Sequence, residues 1–290
     1  MEMDRLRVVR GALLILGMLT AVALPAASSA RAADARGARA AFFGGWELQG
    51  WRPWSHIEWK GALDDSPGIA RQFQLVASPR RSGLHAARFS VAPGDKYGDS
   101  SGERSMAVWL TSNEREGDTY YYAWSTLFPR DWVTPRGWSI TTEWHADERF
   151  ELAPLRFNVV GSDRMTLDMT TGTCTDPYAC AYQRNHVVLR TLSKGRWNDF
   201  VMRVHWSAGD GSVEVWHRLA GQRSFRSVLL LRHVPTLPSM RGDPASAVIY
   251  IEQGLYRGDG STGTTTVYHD AFRRASTWTE AVNVWRRTAK

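Results

Sequence analysis

The sequence predicts an all-β protein, a two-sheet jelly-roll sandwich with a concave groove on one sheet. Three observations lead there. Segments rich in Val, Ile, Thr, Tyr, Phe and Trp recur with period two: 85–91, 119–128, 139–146, 155–161, 199–206, 212–217, 247–256 and 264–272. Alternation of this kind places successive side chains on opposite faces of a strand. Turn-forming stretches such as SAGDG (207–211) separate the segments. No long, cleanly amphipathic helical segment interrupts them, and many strands without helices close most simply as two packed sheets.

The elements follow in chain order. Residues 1–30 open with Arg5, Arg7 and Arg10, run apolar from Ala12 to Leu24 and end in small residues. That is the layout of a secretory signal peptide, and the apolar run is too short to span a bilayer, which takes roughly 20 residues. Residues 31–40, rich in Ala and Arg, read as a flexible leader, and 41–290 as one jelly-roll domain without linker or repeat. The net charge of +7 falls to +6 without residues 1–30, which hold three Arg and two acids. A basic exported chain suits an acidic partner. The two cysteines, Cys174 and Cys180, are expected to pair in an oxidising compartment. The 14 Trp are a high count: some must fill the core, and a Trp on a groove wall would also stack on sugar rings.

Candidate chemistry lies on three stretches. In YIEQGLYRG (250–258), Tyr250, Glu252, Gly254 and Tyr256 share one face, and Ile251, Gln253 and Leu255 the other. Gly254 leaves room for something to approach. In TTEWHAD, Glu143 and His145 share a face, with Trp144 alternating off it. In GERSMAVWL (102–110), Arg104 and Met106 go together. An Arg, a His and a Tyr from three strands would meet on one concave sheet.

In this order, the three stretches resemble jelly-roll polysaccharide lyases of the heparin lyase I, glucuronan lyase and alginate lyase type. Those enzymes carry an Arg-x-Glu strand, a Gln-x-His strand and a late Tyr-x-Lys-x-Gly-x-Tyr strand. YYYAWSTLFPRDW (120–132), GRWNDFVMRVHWS (195–207), DGSVEVW (210–216), QGLYRG (253–258) and VYHD (267–270) resemble the heparin lyase I-like group more closely. The resemblance covers about Ala41 to Asp270. It implies β-elimination at a uronic acid: the sugar carboxylate is neutralised, a base takes the C5 proton, and an acid protonates the leaving O4. Tyr256 would be base, acid or both, and His145 a second base or carboxylate neutraliser. A phenol, with a pKa near 10, serves as base only beside a cation, here Arg104 or Arg257. Arg257, Tyr250, Glu252 and Trp144 would contact substrate. No cofactor is required.

Three positions depart from the family pattern: Glu143 stands for Gln, Met106 for Glu and Glu252 for Lys. An ionised Glu143 would repel a uronate, by about 4 kcal/mol at ~4 Å and an effective dielectric of 20. A protonated Glu143 would instead donate a hydrogen bond. A Glu143 paired with Arg104 would replace the carboxylate missing at 106. Two other readings use the same face. One is a glycoside hydrolase with Glu143 and Glu148, an odd spacing that needs a bulge to bring both carboxylates to one side. The other is a non-catalytic carbohydrate-binding module. His205, His217 and His269, beside aromatics, read as structural. No His, Asp or Glu grouping has metal spacing, and Ca²⁺ at Asp163, Asp176 or Asp259 lacks a loop pattern. No phosphate-cradling loop and no GxSxG elbow is present. The expected partner is an anionic polysaccharide, with no nucleic acid, no membrane in the mature form, and a monomeric chain.

Overall fold

The computed structural model describes residues 41–285 apart from 48–49, 61–68, 99, 152 and 244. The expected signal peptide and leader lie outside the described residues. In chain order the elements are β1 (Phe42–Gly44), β2 (His56–Glu58), α1 (Ile69–Gln72), β3 (Phe73–Val76), β4 (Ala86–Val91), β5 (Gly102–Glu114), β6 (Thr119–Leu127), β7 (Ser139–Ala146), β8 (Leu155–Val160), β9 (Arg164–Asp176), β10 (Ala179–Leu189), β11 (Trp197–His205), β12 (Gly211–Leu219), β13 (Arg226–Val234), β14 (Pro238–Met240), β15 (Ile249–Gly258), β16 (Thr265–Ala275) and α2 (Trp278–Val282). One sheet runs β13-β12-β11-β6-β16-β4-β3, with β1 beside β16, and the other β10-β9-β8-β7-β15-β5-β2, with β14 beside β9. All pairings are antiparallel except β14 with β9. This is the predicted two-sheet jelly-roll sandwich.

Aromatic side chains join the sheets. Trp144 on β7 meets Tyr122 and Trp124 of β6 with ring centroids 5.0 and 5.8 Å apart, and Trp124 stacks on Phe200 of β11 at 5.3 Å. Trp144 is fully buried. It was expected to shape a subsite and instead anchors the core, because alternation turns it to the side opposite Glu143 and His145.

The two outer faces differ. The first sheet's is covered at the C-terminus, where Ala281, Val284 and Trp285 pack on Ala123, Val201, Ala271 and Ala275. Thr277 caps α2 by accepting from the Glu280 amide. The second sheet carries the polar cleft on its outer face. Cys174 and Cys180 form a disulfide across β9 and β10, as expected.

Strands β9, β10 and β13 went unpredicted, as did the short strands β1, β2, β3 and β14. In β9, Met165, Leu167 and Met169 do alternate with Thr166, Asp168 and Thr170, yet Met, Asp and Gly favour strands weakly. Strand β10 lies at a sheet edge and is largely exposed, so it lacks the apolar half of the pattern.

Candidate functional site

A cleft of about 380 Å³ opens on the outer face of the second sheet, lined by residues of β5, β15, β7, β8 and β9. Arg104, Glu143, His145 and Tyr256, the expected catalytic group, all line it. Cross-strand register brings them together: Tyr256 stands opposite Arg104, Tyr250 opposite His145, and Glu252 opposite Glu143. The alternation of β7 is broken between Ile140 and Thr142, which returns Ile140 to the cleft side with Glu143 and His145.

The Tyr256 side chain is held from three directions. Its hydroxyl lies 3.0 Å from Ser101 Oγ, the Arg104 guanidinium sits 3.9 Å over its ring, and Trp138 meets it edge-on at 4.6 Å. Trp138 is the Trp of the cleft wall. His145 stacks on Tyr250 at 4.9 Å. Its Nδ1 lies 2.8 Å from the carbonyl oxygen of Ala146, which can only accept, so Nδ1 carries hydrogen and Nε2 is the remaining ring nitrogen. Burial raises the Tyr250 hydroxyl well above the usual tyrosine range, with Glu252 and Glu58 adding to the rise. Tyr250 therefore stays neutral and acts as a stacking partner.

Beneath the cleft lies a cluster of charge. Arg104 Nη1 donates to Glu58 Oε2 at 2.7 Å and stands 3.9 Å from Glu252 Oε2. Glu58 of β2 pairs across from Met106, so it supplies from another strand the carboxylate missing at 106. Burial would lower the Arg104 pKa, but Glu252 and Glu58 outweigh it and raise it. Burial pushes the Glu58 carboxyl up to about 7; Glu252 adds to the rise and Arg104 opposes it. Burial likewise pushes Glu252 up to about 7, with Glu143 adding to it. Glu143 is raised by burial against the pull of Arg104 and Arg156. Three carboxylates this close cannot all stay ionised, since each like-charge pair at ~4 Å opposes that by about 4 kcal/mol at an effective dielectric of 20.

Several expected residues lie elsewhere. Arg257 was expected to contact substrate. It is fully buried and points away from the cleft, its Nε and Nη2 3.0 and 2.8 Å from Glu103 Oε2, and its Nη1 donating to Gly263 O and Thr265 Oγ1. Period-two alternation after Tyr256 puts it there. Glu252 is buried in the cleft floor and reaches substrate only through its neighbours. The space at Gly254 belongs to the protein itself: a Cβ there would collide with the Ser105 carbonyl oxygen and Met106, so the glycine admits strand β5 and not a ligand. Glu148 is exposed in the turn after β7 and absent from the cleft lining, which removes the hydrolase pairing with Glu143. Glu252 stands directly opposite Glu143 across β7 and β15 and is buried. Asp163 pairs with Lys194, Asp259 with Lys96, and Asp176 accepts from the Tyr178 amide. Among the described residues no His, Cys, Asp and Glu cluster could hold a metal.

Sequence reasoning missed Arg156, Asn158 and Asp168, which complete the cleft floor on β8 and β9. Arg156 stands opposite Glu143 and donates to Thr170 Oγ1 at 3.2 Å, and Asn158 Nδ2 donates to Asp168 Oδ2 at 2.8 Å. The polar side of LRFNVV carried the signal, since Arg156 and Asn158 are two apart on one face.

In sequence, the chain matches the polysaccharide lyase family across residues 47–273. No curated protein matches it. Among solved structures it is similar to an endo-β-1,4-glucuronan lyase from the fungus Trichoderma reesei, with a TM-score of 0.61 and 14% identity over 82% of this chain and 95% of that one. It is also similar, at TM-scores of 0.47 and 0.46, to alginate lyase vAL-1 from Chlorella virus (11% identity, 77% of this chain and 93% of that one) and to an alginate lyase from Corynebacterium sp. (13%, 76% and 94%). The sequence match carries the family and not the heparin lyase I-like group within it. The two-sheet sandwich, its likeness to the glucuronan lyase and a match over most of the chain agree, and this protein belongs to the polysaccharide lyase family.

Proposed function

We propose that this protein is exported and cleaves a uronate-containing anionic polysaccharide by β-elimination, with Tyr256 as general base and acid. The C5–H bond gives its proton to Tyr256, the electron pair forms the C4–C5 double bond, the C4–O4 bond breaks, and O4 leaves with a proton. The observation that carries this is the meeting of Tyr256 and His145 in one cleft, with the Arg104 guanidinium 3.9 Å over the tyrosine ring. Arg156 offers hydrogen bonds to the uronate carboxylate, and Trp138 offers an aromatic wall to a sugar ring.

Export is supported by the disulfide and by the size of a polymeric substrate, which must be met outside the cytoplasm. No described helix is long and apolar enough to cross a membrane.

The test is incubation of the purified chain with glucuronan, alginate, heparin-type glycans and pectate while the ultraviolet absorbance of the unsaturated uronate is followed. A rise identifies the substrate class. Binding without a rise on any glycan would refute elimination and favour a carbohydrate-binding module.

A further inference from the structure

Glu143 and Glu252 face each other directly across β7 and β15, and both are buried. Two carboxylates so placed share a hydrogen bond only when one keeps its proton. Their surroundings contribute Glu58 from β2, Tyr97 from the loop before β5, Arg104 from β5, His145 from β7, Arg156 from β8, Asp168 from β9, and Tyr250 and Tyr256 from β15. Arg104 and Arg156 are the permanent cations of this group. Glu58 occupies Arg104 Nη1 at 2.7 Å. Glu252 Oε2 is left 3.9 Å from that nitrogen, beyond hydrogen-bond reach, and no N–H or neutral O–H donates to it. A buried oxygen in that position is suited to carry hydrogen and not charge. Glu143, in contrast, lines the cleft and has Arg156 beside it.

We propose that Glu143 and Glu252 hold one proton between them, with Glu252 the donor, and that this proton keeps the cleft able to receive a substrate carboxylate. When the proton leaves, a second buried negative charge under the cleft repels the uronate. Glu252 is thus a positioning residue acting through Glu143, and the Lys-to-Glu departure at 252 becomes a control of binding by pH. The inference rests on the lyase reading only in taking a uronate as the ligand. Burial, which pushes Glu252 up to about 7, places the transition near neutrality.

The experiment titrates a glucuronan tetrasaccharide calorimetrically into Tyr256→Phe, chosen to leave the ligand intact, with and without Glu252→Gln. Above the ionisation, Kd rises about tenfold per pH unit for each proton whose loss blocks binding. Glu252→Gln keeps the hydrogen bond to Glu143 through an amide with no proton to lose, so it should remove one proton's worth of that slope. Glu58→Gln should leave the pair's slope in place. In the ligand-free wild type near pH 6, infrared absorption should contain one more protonated carboxyl than Glu252→Gln. Matching infrared spectra would overturn the shared proton. Matching Kd slopes, or no binding at any pH, would overturn its role. Binding with the expected slopes but no unsaturated product from the wild type would keep the proposal and refute the lyase reading instead.

Discussion

Arg104 on β5 and Arg257 on β15 belong to neighbouring strands and face opposite sides of one sheet. Arg257 has one carboxylate, Glu103, and its remaining contacts are neutral oxygens of Gly263 and Thr265. Charge is balanced there. Arg104 has Glu58 and Glu252 within 4 Å, with Glu143 directly opposite the second across β7 and β15. Acid outnumbers base, and burial together with the neighbouring carboxylates pushes Glu58 and Glu252 up to about 7. A balanced buried pair holds a structure together, whereas an oversubscribed one stores a proton that function can use.

The contrast sets out four measurements, from the largest expected effect to the smallest. Tyr256→Phe removes one hydroxyl from the cleft side, and turnover should fall by about 10³-fold or more with the melting temperature unchanged. Retained turnover would take Tyr256 out of the mechanism. On the balanced side, Arg257→Gln strands Glu103 and should destabilise the fold by about 3–5 kcal/mol in denaturant unfolding. A loss below ~1 kcal/mol would show that the pair is not structural. Glu252→Gln should do the opposite in a pH-dependent way. The Glu252 carboxyl sits at about 7 when folded against 4.5 as the ordinary value, so the folded state holds its proton more tightly. Its contribution to stability is full below pH 4.5 and is lost as pH rises through 7. Glu252→Gln should therefore gain on the order of 1–3 kcal/mol over wild type near pH 8, with the gain vanishing near pH 4. An equal effect at both pH values would contradict the raised carboxyl. The smallest change is expected from Arg156→Gln, which removes a half-buried cation of the cleft floor and should weaken binding of an oligouronate about fivefold at low salt and less at high salt.

Much of this was legible in the sequence, and the misses have physical causes. Alternation within 139–146 and 250–258 placed Glu143, His145 and Tyr256 on a common side, and the segments read as strands are strands. The same alternation predicts that Arg257 turns away from Tyr256, yet its charge had invited a substrate role. Glu58 was illegible because β2 is three residues long, too short to show a period, and its meaning depends on pairing with β5. Arg156, Asn158 and Asp168 needed β8 and β9 to be set beside β7, a register that no local pattern encodes. Gly254 was read as leaving room for something to approach, and what approaches is the backbone of the neighbouring strand β5.

The cleft lining comes from five adjacent strands, in the order β5, β15, β7, β8, β9. Neighbouring strands lie ~4.8 Å apart, so this floor extends about 19 Å crosswise. A polymer laid across the strands meets a fresh row of side chains at every strand spacing, whereas one laid along a strand meets a same-face residue only every ~6.8 Å. The sheet is therefore a ruler graduated by hydrogen-bond geometry. Swapping a side chain at one graduation changes what is read at that mark and leaves the scale unaltered.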